Sequence, residues 1–209
     1  MPDVDFGALL SPCNVSRESL RGLQDYVSLL LTWQARINLI GPSTVETLWT
    51  RHILDAVQLL PLLPANARVL ADLGSGGGIP GLVVAIAGGY EVHLYESNGK
   101  KIAFLREAIR RTGAKAFVHQ VRLERLADAT LPTVDAVIAR ALAPLETLLV
   151  YAEPFMAKGV PAFFHKGLDI DSELTAASKC WKINSIKHPS LSDSRGVILE
   201  VKEAIRVRS

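Results

Sequence analysis

Val69-Leu70-Ala71-Asp72-Leu73-Gly74-Ser75-Gly76-Gly77-Gly78-Ile79-Pro80-Gly81 is a short apolar run that ends in an acid and then breaks into glycines. The run suits a buried strand, and the glycines allow a sharp turn and close approach to a ligand. Apolar residues resume at Leu82–Ala87, a segment opened by Pro80 and closed by Gly88-Gly89, which reads as a helix. Strand, glycine loop and helix in that order open a βαβ unit.

Working outward from that unit, the chain continues in the same rhythm. Strands are expected at Arg68–Leu73, Glu91–Tyr95, Ala116–Val121, Val134–Ala139 and Val160–His165, with helical runs between them. Two closing runs, Trp181–Lys187 and Val197–Lys202, flank a polar Pro189–Gly196 loop and read as a hairpin. The pattern predicts an α/β fold with a seven-stranded, mostly parallel sheet whose last strand is antiparallel. Upstream, Ser16 can cap a helix carrying Leu20, Leu23, Val27, Leu30 and Leu31 at helical spacing. Ser43-Thr44-Val45-Glu46 has capping-box spacing and introduces a second helix through Val45, Leu48, Trp49, Ile53, Ala56, Val57 and Leu60, stopped by Pro61 and Pro64. Residues 1–65 are therefore expected to be a helical extension packed on a domain spanning residues 66–209.

The glycine loop raises the question of its ligand. Gly76-Gly77-Gly78-Ile79-Pro80-Gly81 satisfies G-x-G-x-x-G, so a dinucleotide oxidoreductase is one reading. Asp72 argues against it, because a carboxylate just before the loop repels a pyrophosphate. S-adenosylmethionine carries an ammonium and a sulfonium and no phosphate, and an acid there favours it. Glu96 ends the second strand, 24 residues after Asp72, where it can accept hydrogen bonds from a ribose. Helix capping is the competing role for Glu96. Asp72, Gly74, Gly76, Gly78 and Glu96 are the candidate cofactor residues.

Composition narrows the class. Apolar residues make up 49% and charged residues 21%, as in an ordinary globular protein. Cys13 and Cys180 lie far apart, and the five histidines show no ligand spacing, so neither a disulfide framework nor a metal site is expected. The acidic N-terminus lacks the order of a signal peptide, and no apolar stretch is long enough to span a bilayer. A cytoplasmic location with no membrane partner is the expectation. Net charge is only +2, but the segment 100–125 holds Lys100, Lys101, Arg106, Arg110, Arg111, Lys115, Arg122 and Arg125 against Glu107 and Glu124. That block is either a solvated helix face or the footprint of a polyanion.

Missing motifs restrict the chemistry. No [DN]-P-P-[YF] element follows the fourth strand, where Ala139-Arg140-Ala141-Leu142-Ala143-Pro144-Leu145 stands, and neither cysteine follows a proline. An already nucleophilic ring nitrogen, or an oxygen served by a base, remains as the acceptor. Arg140 ends a strand, where open α/β sheets bind ligands, and Lys166 does too, although Gly167 can simply mark a turn. Arg195 in the hairpin loop either reaches substrate or is merely exposed. His52 and Asp55, one helical turn apart, read as a hydrogen-bonded structural pair or as catalytic groups. Trp33 and Trp49 read as core.

Five elements carry a resemblance across nearly the whole chain: Trp33-Gln34-x-x-x-Asn38-Leu39-Ile40, Arg51-His52-Ile53-Leu54-Asp55, the Asp72–Gly81 loop, Ala139-Arg140-Ala141 and Lys166-Gly167. Together they resemble the glucose-inhibited division protein B family, the small-subunit rRNA (guanine-N7) methyltransferase G. Gln34 stands where that family often has Asn, and Ala56 where Ser often follows the Asp. The resemblance implies a Rossmann-like class I methyltransferase fold and S-adenosylmethionine-dependent methylation of guanine N7 at position 527 of 16S rRNA. Gly74, Ile79, Leu123, Glu124 and Arg140 would line the cofactor site. Lys100, Lys101, Arg106, Lys166 and Arg195 are the candidate RNA contacts. Guanine N7 needs no deprotonation, so no catalytic base is expected. The implied partner is 16S rRNA or a small-subunit assembly intermediate, met by a monomer; another RNA or nucleobase is the alternative acceptor.

Overall fold

The computed structural model describes residues 5–128 and 131–207. Seven strands form one sheet: β1 (Val69–Leu73), β2 (Glu91–Glu96), β3 (Ala116–Gln120), β4 (Ala136–Arg140), β5 (Ala162–Lys166), β6 (Trp181–Pro189) and β7 (Val197–Arg206). Their order is β3-β2-β1-β4-β5-β7-β6. Pairings among β1–β5 are parallel, and β7 runs antiparallel to both β5 and β6. The expected strands are all present, with ends displaced by a few residues.

Among the described residues seven α-helices accompany the sheet: α1 (Phe6–Leu10), α2 (Arg17–Gln34), α3 (Asp55–Val57), α4 (Gly81–Gly88), α5 (Gly99–Thr112), α6 (Leu145–Met156) and α7 (Ile170–Ala177). Ser16 caps α2 by accepting the Ser19 N–H at 3.0 Å. Asn98 caps α5 through the N–H groups of Lys100 and Lys101. Helices α1–α5 cover one face of the sheet, sharing a hydrophobic cluster with Leu70, Val92, Leu94, Ala136, Ile138 and Phe163. Helices α6 and α7 cover the other, against Ala71, Leu73, Tyr95, Val137, Ala139 and Phe164. The two sets of strand residues alternate because successive side chains in a strand point to opposite faces. No helix among the described residues is long and apolar enough to cross a membrane.

Three expectations need correction. Leu31 does not join the buried stripe of α2 but is 42% exposed. The capping box at Ser43–Glu46 is not formed; Pro42–Thr44 is a short 3₁₀ turn, and Thr44 turns its hydroxyl to Gly41 O and to His52 instead. The second helix is accordingly not continuous from Val45. A π-helical segment, Trp49–Leu54, precedes the single turn of α3. Thr44 wins because its hydroxyl satisfies a local carbonyl and a buried imidazole together.

Candidate active site

The alternation that builds the core also selects the functional side chains. Continuing it to the C-terminal ends of β1, β2, β4 and β5 puts Asp72, Glu96, Arg140 and His165 on the face covered by α1–α5. Lys166, one residue further, falls on the α6–α7 face. This is the edge where open α/β sheets bind ligands.

The glycine loop is pinned before any ligand arrives. Gly74 N and Ser75 N donate to Tyr95 O at 2.9 and 3.0 Å, and Gly78 N donates to Ser75 O at 2.6 Å. Gly76 N donates to Glu96 Oε2 at 2.9 Å, while Glu96 Oε1 accepts the N–H groups of Ser97 and Asn98. Gly81 N donates to Asp72 Oδ2 at 3.2 Å. Tyr26, fully buried on α2, donates its hydroxyl to Gly77 O at 2.6 Å. Gly74 adopts φ +71°, which strains any other residue, and a Cβ there would also have to displace the tip of Leu142, 2.5 Å away. Asp72 is 1% exposed, and its second oxygen has no partner. Burial pushes its carboxyl up to about 7 against the pull of the Gly81 N–H.

Two adjoining cavities open above the loop and share Gly74, Lys101 and Ala141. One, of about 300 Å³, is walled by Glu96, Val121, Leu123, Glu124, Leu142 and Tyr151 among others. The other, of about 220 Å³, is walled by Leu39, Ile40, Gly41, His52, Ile79 and Arg140 among others. Residues 39–41 reach this wall because Gln34 holds the turn after α2: its Oε1 accepts Leu39 N and Ile40 N, and its Nε2 donates to Ile40 O. Gln34 thus supplies the local capping of that turn. Burial lowers the His52 imidazole to about 4, and the neighbouring Arg140 charge acts in the same direction.

A third cavity, of about 230 Å³, adjoins the second through Arg140 and Ala141. Its floor is a buried polar cluster. Asp55 Oδ2 pairs with Arg140 Nε at 2.9 Å, and Arg140 also donates to Arg51 O at 2.8 Å. Asp55 Oδ1 accepts Gln58 Nε2 at 2.8 Å and the Ser192 hydroxyl. His165 Nε2 donates to Asp55 O at 2.7 Å, and burial lowers its pKa. His52 and Asp55 are therefore not bonded to each other. Their side chains serve Thr44 and the Arg140 cluster respectively, because the π turn changes the spacing that four helical residues would have.

The structure brings together Gly74, Gly76, Ile79, Glu96, Lys101, Leu123, Glu124 and Arg140 on the first two cavities. Asp72 lies beneath the loop and lines neither. Gly78 adopts φ +87° facing Leu82 and Leu105. Lys166 lines the third cavity but is tied to Glu173 at 2.5 Å and to Ala143 O at 3.2 Å. Arg195 is 70% exposed and turns to Asp193. Lys100 and Arg106 are exposed on α5, outside these cavities. Sequence reasoning missed Leu39, Ile40, Gly41 and Ala141 as wall residues. The Trp33–Ile40 and Ala139–Ala141 elements contained the signal, without saying which cavity each would meet. Ala141 holds φ +50°, a left-handed conformation uncommon outside glycine, and it lines all three cavities.

Comparison with known proteins agrees with this geometry. The ribosomal protein L11 methylase from Lactobacillus delbrueckii subsp. bulgaricus superposes with a TM-score of 0.56 at 16% identity, covering 78% of this chain and 80% of that one, which shows a shared fold. The ribosomal RNA small subunit methyltransferase G of Paramagnetospirillum magneticum is 49% identical, over 96% of this chain and 97% of its own. That of Rhodospirillum rubrum is 48% identical, over 92% and 94%. The family profile described as rRNA small subunit methyltransferase G matches residues 19–200. With its sheet order, glycine loop and near-complete alignment to these relatives, the chain belongs to the rRNA small subunit methyltransferase G family.

Proposed function

We propose that this chain transfers a methyl group from S-adenosylmethionine to guanine N7 at position 527 of 16S rRNA. One observation carries the choice of cofactor. The N–H groups of Gly74, Ser75, Gly76, Gly78 and Gly81 are already engaged, two of them by the carboxylates of Glu96 and Asp72. A loop with these amides spent on carbonyls and carboxyl groups offers no anion nest for a pyrophosphate. It does suit a ligand that is cationic at one end and rich in hydroxyl donors. Glu96 and Glu124 would accept from the nucleoside part, Leu123 would pack beside it, and Gly74, Gly76, Gly78 and Ile79 would form the cradle. Asp72 would act from below, holding the first turn of α4 and adding negative potential under the cationic end. When bound, S-adenosylmethionine supplies an electrophilic methyl group.

The acceptor reading draws on family membership and on the third cavity beside the cradle. N7 of guanine presents a free lone pair at neutral pH, so the protein's task is positioning and electrostatics. Arg140 turns its guanidinium towards Asp55 and Arg51 O, which keeps its charge neutralised beside a product ring that becomes cationic. Lys101 and Arg195 would meet phosphates at the mouth of the site, while Lys166 is spent on Glu173 and Ala143 O. Calorimetric titration tests the cofactor reading: S-adenosylhomocysteine should bind and NAD should not. Glu96→Gln should weaken binding roughly 10- to 100-fold, the scale of a lost charge-assisted hydrogen bond. Tight NAD binding with none of S-adenosylhomocysteine would overturn it.

A further inference from the structure

Two exposed leucines stand next in the chain to residues that line the third cavity, beside its polar floor. Leu168 follows Lys166 and Gly167, both cavity residues, and is 70% exposed. Leu191 lies between Ser190 and Ser192, both cavity residues, and is 56% exposed. Single exposed leucines are ordinary. These two are held out by buried machinery. Leu191 N donates at 2.7 Å to Oε1 of Gln58, a buried residue whose amide also reaches Asp55 and Ser190 Oγ. Ser192 bonds the Asp55 carboxylate, and Ser192 N donates to Ser190 Oγ at 3.2 Å. The loop tip is thus clamped from beneath on both sides of Leu191. Before Leu168, Lys166 is paired with Val197 in the β5–β7 ladder and its ammonium is held by Glu173 and Ala143 O, so the chain is fixed up to Gly167.

We infer that Leu168 and Leu191 form an apolar wedge that fills the RNA stack vacated when the target guanosine turns into the third cavity. The inference rests on the RNA-methylating reading above. A purine ring edge stacked in a helix cannot reach a cavity floor at the end of a parallel sheet. Enzymes acting on a base take it out of the stack, and the gap left behind favours apolar side chains. The rim charges suit a phosphate beside the cavity: Arg51 and Arg195, with side chains 43% and 70% exposed, share the single carboxylate of Asp193 and leave one net positive charge there. The backbone that presents them has to be held, because a mobile loop would lose conformational freedom on insertion.

The test uses the full chain with S-adenosylhomocysteine and an rRNA fragment carrying 2-aminopurine next to the target guanosine. Wild type should raise the fluorescence severalfold on binding. Leu168→Ala/Leu191→Ala should keep RNA affinity within about threefold yet lose most of that rise. Its single-turnover methylation rate should fall on the order of tenfold or more, the scale of unstacking one base. An abasic nucleotide beside the target, which removes the stacking to be broken, should restore that rate to near wild type. Ile205→Ala, which removes a comparably exposed side chain on β7, should move neither readout. The inference is overturned if wild type binds without a fluorescence rise, or if the double variant matches wild type on the intact fragment. It is also overturned if the variant weakens binding only to the assembled subunit, which would make these leucines a protein-docking surface. Failure of the methylation reading looks different: wild type would then raise the fluorescence but leave guanosine N7 unmodified.

Discussion

Asp72 is an ionisable group held almost wholly out of water, with one oxygen on Gly81 N and the other without a partner. Its proton is therefore bound more tightly in the folded protein than in the unfolded chain, with a pKa of about 7 against 3.8. The stability linked to it is complete below the unfolded value and is lost as pH rises through about 7. Asp72→Asn keeps an acceptor for Gly81 N and removes the charge, so the ligand-free variant should lose less stability than wild type between pH 5 and pH 8. The difference at pH 8 should be roughly 2–4 kcal/mol, read by denaturant titration at both pH values. Parallel pH profiles would mean that Asp72 ionises without penalty. From sequence, an acid before the glycines was legible. That Asp72 lies under the loop was not, because the order of residues does not say on which side of a turn a carboxylate ends up. Glu96 shows the same limit: its place after the second strand was legible, while its simultaneous bonds to Gly76, Ser97 and Asn98 were not.

At the scale of elements, the strands were readable because a buried strand needs only a short apolar run between breakers, and each lies within a few residues of its expected place. The passage through residues 42–57 was not. A π turn leaves the same apolar residues in the same order, and only the Thr44–His52 contact shows that the helix is interrupted. Contacts of long sequence separation were equally invisible, and Tyr26 is the clearest case. Its hydroxyl crosses from α2 to Gly77 O, joining the N-terminal helices to the loop they wall. Tyr26→Phe leaves that buried carbonyl without its partner. It should cost about 1–3 kcal/mol of stability, measured by denaturant unfolding. It should also weaken S-adenosylhomocysteine binding, because the loop loses a pin. Loss of stability with undiminished affinity would separate α2 from the site.

For the whole molecule, charge is sorted by place. In the basic segment, Arg110 is bonded to Glu107 at 2.6 Å, Arg111 lies 3.9 Å from Asp25, and Lys101 lines the two cavities. Lys100 and Arg106 make no ion pair among the described residues, so they are the side chains to test as phosphate contacts. Lys100→Ala/Arg106→Ala should reduce the slope of log affinity against log salt for rRNA by roughly 1–2, with S-adenosylhomocysteine affinity unchanged. An unaltered slope would make that part of α5 a solvated face.

On the function we propose, this edge of the sheet methylates guanine N7 without a base. The two histidines on the cavity walls, His52 and His165, are both held below their ordinary pKa by burial, His52 at about 4. Asp72, near 7 without a ligand, is drawn to its charged form by a saturating cationic cofactor above it, so it does not carry the pH dependence of the chemical step. Quench-flow methylation of an rRNA fragment, at saturating S-adenosylmethionine between about pH 6.5 and 8.5, reads that claim directly. The rate of the chemical step should be nearly flat, and the product should be cleaved by chemistry selective for 7-methylguanosine at a single site. A rate that climbs tenfold per pH unit, or a methylated product that resists that cleavage, would contradict it.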